Sequence, residues 1–480
     1  MENINIFFNW KNFYLVGIKG VAMTSTAQLL LDAGKGVRGS DVAEDFVTKD
    51  LLADTGIIVD VGFESELPTG TDCLIYTSAH GGPNNPQVLQ AQALGIPCLS
   101  QAEALSIFFN QKKGVAVCGV GGKSTVSAMI AWILEKTRQN PSYSVGVGRI
   151  PGLARTGKWN EASEYFIAEA DEYVTNPQVG LSGQPITPRF SFLKPYLTVC
   201  TNLKFDHPDV YRDFEHTKDV FTEFFRSTKN GGQLIINGDN PDLRQIAQKL
   251  AEKGLPHNSY GESENCHYVL RDYQSTNGRT YGKIFKDNQL VGEISLQIPG
   301  KFNLLNALAA VVCSIKLGTS INQSTEALKT FNSTMRRFEF VGENNGVLFY
   351  DDYAHHPHEV ASSIQALNEW YPDAKKVIAF QSHTYSRTKK LFDDFMGAFK
   401  NAQNIAMIEI FASAREGLDP TVSSDLLCQA IKNKWPEKNV ENLRSLENLA
   451  GFFANLEPGS VVLTVGAGDI YLVYEKMGMR

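Results

Sequence analysis

The sequence predicts an α/β protein of three domains, built mainly on parallel sheets. Three observations carry that prediction. The chain has 480 residues, which at about 150 residues per domain suggests three. Short apolar runs recur from end to end, each followed by a helical pattern. Several of these runs end in glycine just where the helix opens, as strand–loop–helix units do.

The units follow one another along the chain. Residues 13–17 form a strand leading into a helix at 22–33, and residues 115–119 lead into a helix at 124–136. A strand at 376–380 precedes a helix at 387–399, and a strand at 461–465 runs into Gly466-Ala-Gly-Asp469. Gly17 and Gly119 lie about 100 residues apart, room for one mononucleotide-type domain each. A polar turn at 111–114 and a break at 332–337 divide the chain into domains 1–112, 113–333 and 334–480. Residues 156–160 and 273–287 are polar, glycine-containing stretches that read as loops or a hairpin.

Composition narrows the function. Hydrophobic residues are 43% and charged residues 20%, which excludes a disordered or fibrous chain. Lys and Arg number 45 against 52 Asp and Glu, with no long block of either sign. A general nucleic-acid or membrane-surface binder needs a basic face and is disfavoured; a local cationic pocket is not. Residues 1–10 carry Glu2 and no basic residue, unlike an export signal, and the longest apolar run, 128–134, is too short to span a bilayer. Seven scattered cysteines without a CxxC pair fit buried thiols in a reducing cytoplasm.

Gly119-Val120-Gly121-Gly122-Lys123-Ser124-Thr125 follows a buried strand and opens a helix. Successive glycines let backbone N–H groups close on phosphate oxygens, and the helix N-terminus adds partial positive charge. Lys123 then lies along the β/γ-phosphates, and the Ser124 hydroxyl is placed to coordinate Mg²⁺. Val117 stands where the strict P-loop has its first glycine, so the loop is a shortened GxxGKS. A glycine turn with a surface lysine is the competing reading.

Residues 166–172 run from an apolar strand into Glu169, Asp171 and Glu172, which puts carboxylates at a sheet's C-terminal edge, where Glu172 could hold a metal. Read alone, this is also what a solvated strand end looks like. His207 follows another buried run within Asp206-His207-Pro208-Asp209, a setting for a metal or phosphate contact with an aspartate orienting the ring. Residues 350–358 hold three histidines in four positions, yet no cysteine lies nearby to complete a zinc site, so a phosphate- or substrate-facing loop is favoured. Arg387, opening a helix after Ser382-His383-Thr384-Tyr385-Ser386, offers a bidentate fork for a carboxylate or phosphate; an exposed first-turn arginine is the alternative.

The ordered set of these motifs resembles the Mur ligases of peptidoglycan synthesis over almost the whole chain. It comprises residues 17–23, Gly39-Ser40-Asp41, the 119–125 loop, residues 168–172, Thr201-Asn202 with 206–209, Gly300-Lys301-Phe302-Asn303, Arg336-Arg337-Phe338, residues 351–357, residues 380–387 and Gly466-Ala-Gly-Asp469. The first-domain pattern and the 380–387 segment resemble the alanine-adding branch. The resemblance implies a Rossmann-like UDP-binding domain, a central P-loop-type ATPase domain and a Rossmann-like C-terminal domain. It implies that ATP phosphorylates the carboxylate of UDP-N-acetylmuramate and that L-alanine attacks the acyl phosphate. A ligase attaching a preformed peptide to the same sugar nucleotide, and a catalytically degenerate nucleotide-sugar-binding homologue, are the alternatives.

By resemblance, Lys123, Glu172, His207 and Arg387 are catalytic. The 119–125 loop, Asn303, Arg337 and Asp352 contact ATP. Ser124, Glu172 and His207 hold Mg²⁺, with Mn²⁺ as an alternative ion. Gly17, Lys19, Gly20, Ser40, Asp41 and Ser78 line the UDP site. Tyr353, His355, His356, His383 and Arg387 face the amino acid or the acyl phosphate. Lys218 lies where some relatives carry a carbamylated lysine. A cytoplasmic monomer or weak homodimer is expected, and ligands drawn from all three domains imply closure on ATP binding. The chain departs from the family pattern at Val120, Gly121, Tyr173, Val174, Phe302 and Thr384, and at Lys19 and Ala22, where glycines are usual.

Overall fold

The computed structural model describes residues 2–176, 185–207, 210–276, 278–412 and 417–479. Pro208 and Asp209 of the expected histidine motif lie outside the described residues. Packing divides the chain into two units. One holds Met1–Asp272, Gly282–Ser295 and Leu305–Phe331; the other holds Tyr273–Tyr281, Leu296–Leu304 and Asn332–Arg480.

The first sheet is built from β1 (Asn12–Val16), β2 (Gly36–Asp41), β3 (Ile58–Val61), β4 (Cys73–Tyr76) and β5 (Cys98–Ser100). All pairs are parallel, in the order β3-β2-β1-β4-β5. Four of the five residues of β1 are buried, as befits a central strand with apolar contacts on both faces. The strand order reverses between β1 and β4, so the loops after these strands flank a crevice, the usual ligand position in such sheets.

The second sheet adds β6 (Lys113–Cys118), β7 (Ser142–Ser144), β8 (Gly157–Lys158), β9 (Tyr165–Glu169), β10 (Leu197–Cys200), β11 (Gln233–Asn237), β12 (His257–Gly261), β13 (Tyr268–Thr276), β14 (Arg279–Lys286) and β15 (Gln289–Leu296). Their order is β15-β14-β13-β12-β11-β10-β6-β9-β7-β8. Central β6 lies parallel between β9 and β10, which brings the chain after all three strands to one edge. The polar stretch at 156–160 contains β8, paired antiparallel with β7, and the described residues of the stretch at 273–287, read as loops or a hairpin, belong to the neighbouring strands β13 and β14.

The boundary expected near residue 112 falls inside the first unit. One apolar core there includes Phe13 and Phe108 beside Phe166 and Phe221. Polar contacts join the same regions: Ser25 Oγ lies 2.7 Å from Ser144 Oγ, and the buried Gln28 side-chain oxygen accepts from the N–H groups of Thr156 (3.1 Å) and Gly157 (2.7 Å).

The third sheet comprises β16 (Glu339–Asn344), β17 (Val347–Asp352), β18 (Lys376–Phe380), β19 (Asn404–Ile408), β20 (Asn439–Arg444) and β21 (Val461–Val465), ordered β16-β17-β21-β18-β19-β20. Only the β16–β17 pair is antiparallel. The helix expected over 387–399 is broken into Tyr385–Lys390 and Phe392–Ala398. At the break, consecutive Leu391 and Phe392 both pack against the apolar core, so packing overrides the local helical preference. Among the described residues, no helix is long and apolar enough to cross a membrane.

Candidate active site

The loop after β6 is shaped for close approach of backbone. Gly119 has φ 114°, and a Cβ there would come within 2.6 Å of the Asn202 carbonyl oxygen. Gly122 has φ 83°, and a Cβ there would meet Asn306 Oδ1 at 2.6 Å. Only glycine combines that backbone with that space. The Thr201 hydroxyl donates to the Gly121 carbonyl at 2.6 Å, and the Val120 N–H donates to the Asn202 carbonyl at 3.2 Å. The helix Lys123–Lys136 opens at this loop, so its N-terminal amide groups offer anion-binding donors.

Lys123 Nζ folds back over the loop. It donates to both carboxylate oxygens of Glu172, at 3.0 and 2.9 Å, and to the Gly119 carbonyl at 3.0 Å. Burial pulls the ammonium pKa down, but Glu172, Asp171 and Glu169 outweigh it and raise it above its ordinary value. Burial, assisted by Asp171, raises the Glu172 carboxyl against the opposing pull of Lys123 and His207. Charge is thus concentrated where little water solvates it, a common property of functional sites.

Glu172, Asp206 and His207 each present a ligand atom within 4.8 Å of the others, the one such group found among the described residues. His207 Nε2 lies 3.8 Å from Glu172 Oε1 and 3.7 Å from Asp206 Oδ2. Two carboxylates and an imidazole suit a divalent cation of the Mg²⁺ or Mn²⁺ type. Ser124, expected as a metal ligand, is placed differently: its hydroxyl donates to Glu169 Oε1 at 2.9 Å. Thr125 is buried on the same helix. His207 has φ 56°, and its ring lies 4.9 Å from that of Tyr173, so one departure from the family pattern supplies a wall of this site.

At the crevice of the first sheet, Gly17 donates through its N–H to the Ser40 carbonyl at 2.8 Å, and Gly20 donates to the Gly17 carbonyl at 3.2 Å. The side chains expected there are largely engaged in the protein. Lys19 Nζ donates to the carbonyls of Val42 and Glu44, both at 2.7 Å, and so caps the following loop. The buried Ser40 hydroxyl donates to Gln87 Oε1 at 2.5 Å. Asp41 accepts from the Lys19 N–H at 2.7 Å and lies 3.5 Å from His80 Nε2. The Ser78 hydroxyl accepts from Arg189. Lys218 pairs with Glu215 at 2.6 Å and Asp242 at 3.4 Å. The hydrogen bond to Glu215 is the main reason its pKa is raised, and carbamylation requires the neutral amine.

The second unit gathers the remaining candidates around the ends of β17, β18 and β21. Arg336 is buried, donating to Asp351 at 3.1 Å and to the carbonyls of Gly468 (3.0 Å) and Gly466 (2.5 Å). It is the structural member of the arginine pair, while the Arg337 guanidinium lies 5.0 Å from the Tyr353 ring centre. Asp352 is buried and accepts from Ser363; burial pushes its carboxyl up to about 6. His355 Nδ1 lies 3.0 Å from the Tyr353 carbonyl. His356 caps the helix Pro357–Trp370, its Nδ1 accepting the His358 N–H at 3.4 Å, so it serves the backbone. Arg387 is buried with Nη1 3.3 Å from His383 Nδ1, and the His383 ring stacks on Phe411 at 5.6 Å. Asn303 donates to the Pro299 carbonyl at 2.7 Å, and Phe302 packs against the core of this unit.

Sequence reasoning missed Asn306, Asp206 as a ligand, Arg189, Glu359 and Phe411. Asn306 follows Asn303 by one helical turn, a usable signal. Glu359 accepts from the N–H groups of both His355 (3.2 Å) and His356 (3.3 Å), which the capping spacing could have suggested. Nothing local marks Arg189 or Phe411, because their partners are distant in sequence.

Family models match three successive regions: the Mur ligase family catalytic domain at residues 12–113, the Mur ligase middle domain at 117–314, and the Mur ligase glutamate ligase domain at 336–468. The UDP-N-acetylmuramate–L-alanine ligase of Carboxydothermus hydrogenoformans is 35% identical over 97% of this chain and 95% of its own. The same-named protein of Desulforapulum autotrophicum is 33% identical over 97% and 98%. The UDP-N-acetylmuramate-alanine ligase structure from Thermotoga maritima superposes with a TM-score of 0.80 at 22% identity, covering 97% of this chain and 98% of that one. A murein peptide ligase from Psychrobacter arcticus gives 0.68 at 19% identity, covering 97% and 98%. With these matches spanning the loop after β6, its carboxylates and the arginine and histidine segments of the third sheet, the chain belongs to the Mur ligase family.

Proposed function

We propose that the protein is an ATP-dependent ligase that joins L-alanine to the carboxyl group of UDP-N-acetylmuramate in peptidoglycan synthesis. The observation that carries this reading is the Lys123–Glu172 pair, set beside His207 and Asp206 under a glycine loop at a helix N-terminus. The relatives named for alanine addition, matched over 97% of the chain, support the choice of acceptor.

On this reading residues 1–112 take the sugar nucleotide, 113–333 take ATP and 334–480 take the amino acid. A muramate carboxylate oxygen attacks the γ-phosphorus, and the bond to ADP breaks. The alanine nitrogen then attacks the acyl carbon, the carbon–oxygen bond to phosphate breaks, and the nitrogen loses its proton to solvent. Two anions must meet, so the chain's task is to neutralise and align them. Lys123 leaves Glu172 for the γ-phosphoryl oxygens, and the 119–125 amides hold the β-phosphate. Glu172, Asp206 and His207 would hold Mg²⁺, which when bound neutralises charge on the transferring phosphoryl group. Asn303, Arg337 and Asp352 contact the nucleotide; Tyr353, His355, His383 and Arg387 receive the amino acid or the acyl phosphate. The reaction belongs to the cytoplasm, carried out by a monomer or weak homodimer without nucleic-acid or membrane partners.

The test is ATP-dependent phosphate release with UDP-N-acetylmuramate, screened against each amino acid and a murein tripeptide. Release that requires L-alanine supports the reading. Release with the tripeptide alone, or background release with every acceptor, overturns it.

A further inference from the structure

Arg189 belongs to none of the loop motifs, yet it touches both anion-handling regions of the first unit. One guanidinium nitrogen, Nη1, donates to Asp171 Oδ2 at 2.6 Å; the other, Nη2, donates to the Ser78 hydroxyl. Ser78 stands just beyond β4, on the crevice of the first sheet. Asp171 precedes Glu172, which binds Lys123. Arg189 therefore bridges 111 residues of sequence to Ser78 and 18 to Asp171 in a single planar group.

The bridge is held firmly from below. Arg189 opens the short helical turn Arg189–Phe192, and its N–H donates to the Tyr173 carbonyl at 2.8 Å. The Phe190 N–H donates to the Asp171 carbonyl at 3.0 Å, and the Phe190 ring is stacked 4.2 Å from that of Phe224 in the core. Above, the guanidinium lies 5.5 Å from the Tyr173 ring centre, and Tyr173 in turn lies against His207. Asp171 Oδ1 also accepts the Tyr173 N–H at 3.1 Å. Ser78 is thus joined through one guanidinium to Asp171 and Tyr173, whose neighbours are Glu172 and His207.

We propose that Arg189 is a positioning residue that couples the sugar-nucleotide crevice to the phosphate and metal centre, so that filling one tightens binding at the other. The proposal rests on the reading that the first sheet receives a UDP-sugar. Coupling of this kind is reciprocal: each ligand strengthens the other by the same factor. A planar fork is required, because it serves a carboxylate and a hydroxyl at fixed angles. A lysine offers a single charge and keeps at most one of the two partners in place.

The test is calorimetric titration of the full chain with a non-hydrolysable ATP analogue and Mg²⁺, with and without saturating UDP-N-acetylmuramate. The wild type, Arg189→Lys, Arg189→Ala and Ser78→Ala are compared. The expected wild-type coupling is about tenfold, equivalent to ~1.4 kcal/mol. In Arg189→Lys it should fall to within about twofold of none, while the affinity for the ATP analogue alone changes less than about threefold; in Ser78→Ala, which also lines the crevice, the coupling should fall likewise once UDP-N-acetylmuramate is raised to saturate that variant. A merely structural role would weaken binding of the ATP analogue alone without changing the coupling. Should Arg189→Ala fail to fold, the lysine and Ser78 variants decide the matter. Wild-type coupling retained in both of those variants overturns the proposal, as does a wild type that binds both ligands without coupling. A wild type that binds no UDP-N-acetylmuramate overturns the functional reading, and the proposal with it.

Discussion

Lys123 Nζ rests 2.9 Å from Glu172 Oε2, so the strongest cation of the nucleotide loop is neutralised by a carboxylate of the metal group. The side chain that would meet ATP and the side chain that would hold the ion are held in one pair, which on the proposed reading would part when the nucleotide and its ion bind. Lys123→Ala removes the cation and strands a buried carboxylate. Turnover should fall by about 100- to 1,000-fold, the scale seen when a preorganised electrostatic partner is deleted. UDP-N-acetylmuramate binding, measured by calorimetry, should stay within about threefold, because the crevice of the first sheet contains no part of this pair.

The same variant should acquire a pH-dependent stability loss. The folded Glu172 carboxyl already lies above its ordinary value, and loss of Lys123 removes the main charge opposing that rise. For a raised carboxyl, the stability contribution is complete at low pH and disappears as pH climbs through the folded pKa. Thermal midpoints of Lys123→Ala should therefore drop further below wild type at pH 8 than at pH 5. A constant gap across that range would show that Glu172 is relaxed into solvent when its partner is removed.

The metal group separates the serine expected from sequence from the aspartate found in the structure. Asp206→Asn should weaken Mn²⁺ binding in the ADP complex by about 10- to 100-fold, read by electron paramagnetic resonance. Ser124→Ala should have the smaller effect on that binding, since its hydroxyl serves Glu169. The reverse ranking would place the ion beside the helix N-terminus instead.

How much of this was readable in advance depended on whether a residue's partners were local. The glycine loop, the strands at 376–380 and 461–465 and the position of Lys123 followed from short-range pattern, since strand, turn and helix signals lie within a dozen residues. Lys19 and Ser40 did not. Their sequence positions suit a phosphate loop, but their partners, Val42, Glu44 and Gln87, are chosen by how β2 and the neighbouring helices pack. His356 illustrates the same limit, since a histidine within a dense cluster turned out to cap a helix. Arg189 is the extreme case, because the contact that gives it meaning beyond its own connection, to Ser78, crosses to a loop of a different sheet.

Lys218 should be indifferent to carbon dioxide. Its ammonium sits between Glu215 and Asp242, and the pKa is raised, which leaves little of the neutral amine that carbamylation consumes. Turnover in degassed buffer should match turnover with added bicarbonate, and the intact mass should show no labile adduct. Recovery of activity on adding bicarbonate would contradict this.

Asp352 should leave a pH signature in the stability of the protein. Its carboxyl is buried, and burial pushes its pKa up to about 6 from an ordinary value of 3.8, with the Ser363 hydroxyl and Arg337 opposing the rise. A carboxyl raised on folding contributes its full stability below the unfolded value and loses it as pH rises through the folded one, here between about 4 and 6. At about 1.4 kcal/mol per pKa unit, the loss amounts to at most ~3 kcal/mol. Asp352→Asn removes the titration, so its urea midpoint relative to wild type should improve between pH 4 and pH 7.5. Ser363→Ala should move the wild-type transition to still higher pH, because the carboxylate loses a donor. Activity of Asp352→Asn should fall all the same, since a charge proposed to contact the nucleotide is gone. Midpoints of wild type and Asp352→Asn that run parallel across this range would mean that Asp352 is ionised at no cost, with Arg337 rather than burial setting its charge.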